Sequence, residues 1–439
     1  MIRRLFALTL MTAVSLTAAT AAAQEPLTLA EALTRAAADN ADLRVAAAAE
    51  EEAQARLRQS RAGLLPSLDL SESWQRGNQP VFVFGSLLAQ RAFGADDFAL
   101  EALNRPDPVG NFRTALSVDA PLYDPAALAG RRAATVGRDL ASAERRLVGH
   151  DLAVAVTAAY GDVLTAVATR QVLAAALQSA AADLERAGNR RDVGLATDAD
   201  VLQVELHAAA TRERELTAAA DETAARARLN QLIGAPLDSV FALDDGPDAP
   251  IDTSSLAALE QAALADRVEV RVAALHGEQA DAAAAAARAG FLPRVSALGT
   301  WEANGGAWAS RASSWTVGAM ARINLFRGFQ DQARAAEARA LQTRRAAERE
   351  RTETAVRVDV RVAAARLEAA RASLAVGQAA VAQARESQRI VRDRYENGLA
   401  DVTALLRAAE GLQDADARHA AARVAVRVAT ATLARAVGR

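Results

Sequence analysis

The chain has 439 residues, 51% of them hydrophobic but only 4% aromatic, with a formal charge of −3. That length suits two or three domains, and the abundance of Ala favours long helices packed through small side chains over one bulky core. The absence of Cys excludes disulfides, thiolate metal sites and a lipid-anchored N-terminal Cys, and the mild acidity leaves no basic patch suited to nucleic acid. All 51 basic residues are Arg, because the chain holds no Lys.

Arg3 and Arg4 precede an apolar run over 5–18, and Ala21-Ala22-Ala23 stands before Gln24. That order is the order of a secretory signal, so residues 1–23 are expected to be cleaved. Their loss takes the formal charge from −3 to −5. No later window holds about 18 uninterrupted apolar residues, so no membrane-spanning helix is expected.

Leu27-Thr28-Leu29-Ala30-Glu31-Ala32-Leu33 opens a helical pattern, with Thr28 as N-cap and Glu31 three residues on. The pattern runs to about Arg61. An extended stretch over 64–74 follows, then a long loop rich in Gly, Pro and Phe over 76–110, then a second extended stretch over 112–123. Asp124-Pro125 restarts a helix, since Pro suits the first helical turn. From there to about Ala187 only isolated Gly interrupt, which gives roughly 60 residues, or about 90 Å at 1.5 Å per residue. Gly188-Asn189 and Val193-Gly194-Leu195-Ala196-Thr197 punctuate the run, and a further helix reaches about Ile233. The Asp, Gly and Pro cluster over 244–252 reads as a linker.

The second half repeats this plan. Arg61-Ala62-Gly63-Leu64-Leu65-Pro66 returns as Arg288-Ala289-Gly290-Phe291-Leu292-Pro293, 227 residues later. At the same offset Leu43-Arg44-Val45-Ala46 returns as Val270-Arg271-Val272-Ala273. Extended stretches are expected over 291–301 and 315–326 with a short Gly-rich loop at 304–313, and a long helix over about 330–395. Gly194-Leu195-Ala196 then returns as Gly398-Leu399-Ala400. Several anchors in one order mark a duplication, with repeats over 24–243 (hairpin 64–123) and 253–439 (hairpin 291–326).

Of the 17 aromatic residues, 13 fall within 74–123 and 291–329. Trp74, Phe112 and Tyr123, and then Phe291, Trp301, Trp315 and Phe326, are expected near strand ends. Membrane β-strands need about 9–11 residues and carry aromatic girdles at both interfaces, while an ordinary soluble sheet capping a bundle would share the strand count. Four strands cannot close a barrel, and open edges are not viable in lipid. A membrane role therefore demands an oligomer.

Here the residues resemble a family. The opening Leu27-Thr28-Leu29-Ala30-Glu31-Ala32-Leu33, both Gly-x-Leu-Pro segments, Pro121-Leu122-Tyr123-Asp124, Asn324-Leu325-Phe326 and the tips around Gly194 and Gly398 resemble the TolC-like outer membrane factors, the outer membrane efflux proteins. The resemblance covers essentially the whole chain after residue 23. It implies a mainly helical fold with a membrane β-barrel contribution: duplicated long hairpins form an α-helical tunnel, and four strands per chain give a twelve-stranded barrel in a homotrimer. It further implies a passive exit duct, seated in outer membrane lipid and docked through its tips to a periplasmic adaptor that joins it to an inner-membrane pump or secretion ATPase. By the same resemblance Val193, Gly194, Leu195, Thr197, Gly398 and Leu399 would meet the adaptor, and Asp200 would face the periplasmic constriction. One departure is that the places matching Asp200 in the second tip hold Ala404 and, three further on, Arg407.

The loops 76–110 and 304–313 would lie on the extracellular side, with Phe82, Phe84, Phe93 and Phe98 placed to fold over the pore mouth. No enzymatic motif is present, so no catalytic residue, metal site or cofactor is expected. His150, His207, His276 and His419 stand isolated on helical patterns, and Asp244, Asp245 and Asp248 lack the downstream Glu of a calcium loop. The rival reading is a periplasmic coiled-coil adaptor or scaffold, which would show one hairpin inserted in β domains instead of two hairpins with two aromatic strand pairs.

Overall fold

The structure is a computed structural model that describes residues 26–244 and 255–438. The signal expected over 1–23 and all but the first residue of the linker expected over 244–252 lie outside the described residues.

Strand β1 (Pro26–Leu27) leads into α1 (Leu29–Asp39) and α2 (Ala41–Gln59). Thr28 caps α1 in a reciprocal box with Glu31, and Asn40 caps α2 by accepting from the amides of Asp42 and Leu43. Each side chain satisfies helix-start donors that have no partner within the helix. Strand β2 (Ser67–Gly77), helix α3 (Pro80–Ala89), the short α4 (Leu100–Asn104) and strand β3 (Val109–Tyr123) follow. The long loop expected over 76–110 thus holds a ten-residue helix. Its residues Pro80-Val81-Phe82-Val83-Phe84-Gly85-Ser86-Leu87-Leu88-Ala89 carry no charge, and Pro80 sits where a helix accepts it.

Helix α5 (Pro125–Asp192) begins as the sequence predicts, with Asp124 accepting from Ala126 and Ala127. It runs for 68 residues, about 100 Å, and passes straight through Gly188 and Asn189. Gly188 is therefore no break, because an interior Gly weakens a packed helix without ending it. Helix α6 (Asp198–Leu232) returns, and strand β4 (Ala242–Leu243) pairs in parallel with β1.

The second half proceeds through α7 (Leu256–Asp266), α8 (Val268–Ala289), β5 (Arg294–Ala307), β6 (Ser310–Arg322), α9 (Gln330–Glu396) and α10 (Val402–Ala436). Helix α9 has 67 residues against 68 for α5, and α10 has 35 like α6. The Gly-rich loop expected at 304–313 is mostly strand: Ala307 pairs with Ser310 across a bulge that starts at Asn304. Gly305 makes this possible, as a Cβ there would meet the Ser310 carbonyl oxygen at 2.0 Å.

The four long strands form one antiparallel sheet in the order β2-β3-β5-β6, so β2 and β6 are open edges. Strand register sorts the side chains into two faces. Leu68, Leu70, Trp74, Trp301, Trp315 and Val317 share one, and Ser67, Asp69, Ser71, Arg113, Glu302 and Thr316 share the other. Leu70 and Trp315 are each 73% exposed. An exposed apolar face opposite a polar one is the pattern of a barrel with lipid outside and water inside. One ion pair, Glu72 with Arg311 at 3.3 Å, interrupts the apolar face near the outer ends of the strands.

The helices pack as two hairpins, α5 with α6 and α9 with α10, with α10 also against α5 and α8 wedged against α5 and α9. The largest buried cluster joins Leu27, Val156, Tyr160, Val163, Leu229 and Ile233. This cluster takes up part of α5, which holds a stretch apolar and long enough by composition to cross a membrane, against the sequence expectation; 39% of that stretch is buried. Where α5 and α10 touch, Gly161 lets them close, since a Cβ would lie 2.6 Å from Val428 Cγ2.

Candidate functional site at the helical tips

The hairpins turn at their far end from the sheet, and both turns are built the same way. At the first, the amide of Leu195 donates to Arg190 O at 2.8 Å and that of Gly194 to Arg191 O at 2.9 Å. At the second, Leu399 donates to Arg394 O at 2.8 Å and Gly398 to Tyr395 O at 3.0 Å. This paired closure requires a left-handed residue, and Gly194 at φ +79° and Gly398 at φ +74° supply it. The next helix starts at once. Thr197 caps α6 in a box with Asp200, whose Oδ2 accepts from the Thr197 amide at 2.8 Å, and Asp401 caps α10 by accepting from Ala404 N at 2.7 Å. Asp200 thus stands at the tip with its carboxylate turned to its own helix end. Between the caps, Val193 (69%), Leu195 (65%) and Leu399 (69%) stand exposed.

A tie that sequence reasoning did not find holds the two tips together. Arg190 Nη1 donates to Glu396 O at 2.8 Å, and its guanidinium lies 4.9 Å from the centre of the Tyr395 ring. Two turns back, Asp183, only 2% exposed, accepts from Arg186 at 2.5 Å and faces Arg392 at 3.8 Å, while Arg392 also donates to Ser179 Oγ at 2.9 Å. Tyr395 is buried with Ala187, Val204, Val402 and Leu405, and burial pushes its hydroxyl pKa up. Its hydroxyl oxygen has no hydrogen-bond partner, so the ring serves as a platform for Arg190 and not as a polar link. The available signal was the aromatic distribution: Phe6, Tyr160, Phe241 and Tyr395 alone fall outside the two aromatic windows.

The aromatic residues expected near strand ends are placed unevenly. Trp74 and Phe112 are cross-strand partners toward the outer ends, with ring centres 6.2 Å apart. Tyr123 closes β3 at the helix side, Phe291 precedes β5, and Phe326 follows β6 against Phe329. Trp301 and Trp315 pair with each other in mid-strand instead, because β5 and β6 run further outward than the sequence predicts. His207 and His419 are also less isolated than expected. They line one cavity of about 420 Å³ between the hairpins, where His207 Nδ1 lies 3.6 Å from Glu410. Among the described residues no group of three or more His, Cys, Asp or Glu could hold a metal ion.

Two long hairpins rooted in an open four-stranded sheet with one lipid-compatible face define a class of protein, a duct that runs from a barrel into a helical wall. Several solved structures share this fold. The outer membrane protein VceC from Vibrio cholerae aligns at 20% identity and TM-score 0.79, over 93% of this chain and 96% of its own. The CmeC outer membrane channel of Campylobacter jejuni aligns at 18% and 0.79, over 93% and 85%. CusC aligns at 18% and 0.80, over 94% and 93%. No curated protein matches the chain. A model of the outer membrane efflux protein family matches residues 32–235 and 259–439, and the chain belongs to that family. Membership assigns it to the outer membrane and to efflux.

Proposed function

We propose that three copies of this chain close into the passive exit duct of a tripartite efflux or type I secretion system, after a signal over 1–23 is removed. A periplasmic adaptor docks on the helical tips and links the duct to an inner-membrane pump or secretion ATPase. The carrying observation is the pair of matched tip turns, which hold Val193, Leu195 and Leu399 exposed at the end farthest from the sheet. Exposed apolar residues on a loop fixed by a rigid scaffold are where binding residues concentrate. Gly194, Gly398 and Thr197 set the shape of that surface, and Asp200 acts at the constriction by fixing the end of α6. Closure itself follows from the open edges β2 and β6, which lipid does not tolerate. The energy for transport comes from the partner.

The test replaces Gly194 and Gly398 by Trp. The expected result is an intact trimer in the outer membrane fraction with export abolished. Normal export by these variants removes the tips from docking, and recovery of the wild-type chain as a soluble periplasmic monomer removes the duct.

A further inference from the structure

Helix α3 lies on the polar face of the sheet, near its outer ends. A Cβ at Gly77 would meet the Phe82 ring at 3.7 Å, and Gln90 Nε2, just past the helix, donates to Gly110 O at 2.9 Å and Asn111 Oδ1 at 3.1 Å. Asn111 in turn donates to Asn304 on β5, and Arg91 donates to Ser313 O on β6. The helix therefore runs across the strands, from the end of β2 to β6. Ten residues make about 15 Å of helix, and four strands about 4.8 Å apart are about 14 Å wide, so α3 straps the sheet from edge to edge. Val83 and Ser86 are buried, Val83 lining a cavity closed by Leu103, Pro106 and Val109, while Val81 (77% exposed), Gly85 and Leu88 (49% exposed) lie on the other side of the helix at helical spacing.

This placement has a consequence that rests on the exit-duct reading. When the sheet closes with two further copies, its apolar face must point to lipid and the face under α3 to the lumen. Twelve strands tilted by about 40° close at a backbone radius of about 12 Å. A helix about 10 Å across, strapped inside that wall by every copy, leaves an aperture of at most about 2 Å in radius. The side chains turned to the axis are Val81 and Leu88, with Gly85 allowing close approach between copies.

We propose that three copies of α3 meet one another inside the barrel mouth and form an apolar outer gate, separate from the closure at the helical tips. The occupant of each exposed α3 face is the same face of the neighbouring copy. Apolar constrictions of this width hold back water and ions by dewetting.

The test uses the absence of Cys from the chain. Gly85→Cys is expected to cross-link copies within the outer-membrane trimer under mild oxidation. In a second experiment, Ser71→Cys places a thiol on the lumen face inward of α3, for labelling on whole cells by a bulky impermeant maleimide. Labelling is expected to be slow, and to quicken at least tenfold when Val81→Asp and Leu88→Asp are added to wet the gate. Absence of the Gly85→Cys cross-link, or equal labelling of Ser71→Cys with and without the two Asp substitutions, overturns the gate while the trimer stands. Loss of the trimer from the outer membrane fraction sinks the exit-duct reading and the gate with it.

Discussion

At the first tip the helix ends in Arg190, Arg191 and Asp192, and at the second the same three places hold Arg394, Tyr395 and Glu396. The backbones match turn for turn, yet the side chains complement instead of copying each other. Arg190 rests on Tyr395 and holds Glu396 O, whereas Arg394 stands exposed and has no aromatic ring at 191 to rest on. The tie is thus made once per chain. In the proposed ring of three, six hairpins meet along six seams, and only the three seams within chains hold it. The joints nearer the sheet differ in the same way. Asn40 caps α2 and donates to Leu232 O, while Arg267 in the matching place leaves α8 uncapped and, only 5% exposed, pairs with Glu269 at 2.5 Å and Asp359 at 3.0 Å. Duplication preserves the main-chain plan, because helix ends and turns impose it, and leaves side chains free to specialise.

The largest expected effect comes from breaking the tie at its buried member. Tyr395→Ala should cost about 3–5 kcal/mol at the tip, as truncation of a buried aromatic residue does, and speed amide hydrogen exchange over 393–404. Arg191→Ala, the matching change in the other tip, should stay within about 0.5 kcal/mol. Tyr395→Phe should leave protection unchanged, because the hydroxyl has no partner. Wild-type protection in Tyr395→Ala would mean that the tips are held by something else.

The joints come next. Arg267→Ala removes the closer of the two guanidinium partners of Glu269, leaving Arg435 at 3.3 Å, and is expected to cost about 3 kcal/mol in denaturant unfolding. Asn40→Ala loses a cap and one hydrogen bond, about 1–2 kcal/mol. Equal costs would erase the contrast. A smaller effect is expected at the caps: Asp200→Ala removes the acceptor for the Thr197 amide, about 1 kcal/mol. The loosened tip should raise the conductance of the isolated trimer in planar bilayers, and an unchanged conductance takes Asp200 out of the constriction.

The mildest test is acid. Burial pushes the Glu269 carboxyl up, but Arg267, its own amide and Arg435 outweigh burial and hold it below its ordinary value. A depressed carboxylate stabilises the fold fully above its unfolded pKa of about 4.3, and that stability is lost as pH falls through the lower folded value. Hydrogen-exchange protection over 268–272, taken relative to the intrinsic rate at each pH, should stay flat from pH 7 to about 5 and fall below about 4. The Asn40 cap has no titrating side chain, so exchange at 41–45 should lag behind. Simultaneous loosening would count against the ion pairs.

Much of this was legible in the sequence, for a physical reason. Gly beside Leu at 194 and 398, Pro after Asp124 and Thr before Glu31 act within a few residues of themselves, so helix ends could be placed without knowing the fold. The two strand faces were half legible, since Ser67-Leu68-Asp69-Leu70 alternates but Val317-Gly318-Ala319 does not, and register supplied the rest. Helix α3 was missed because Phe, Gly and Pro in one stretch read as loop, while its helical form depends on a sheet surface beneath it. Gly188 suggests a break by residue type alone, and the packing of α5 carries the helix through it. The tie was out of reach, because Arg190 and Glu396 are brought together only by the packing of hairpins about two hundred residues apart.

The parallel pairing of Pro26–Leu27 with Ala242–Leu243 is only two residues long, yet the Tyr160 hydroxyl sits at both, its one proton within reach of Leu27 O at 2.7 Å and of Asp244 O, just past β4, at 2.8 Å. Leu27 and Asp244, toward the two ends of the first half, are therefore latched to the middle of its longest helix. A chain delivered from its N-terminus can complete that latch before the second half arrives. Once latched, the half is a closed loop of more than two hundred residues, and lengthening a loop further adds little to the entropy of closing it. Assembly can then proceed as the docking of two prefolded pieces of one chain, with the order of synthesis deciding which piece waits for the other.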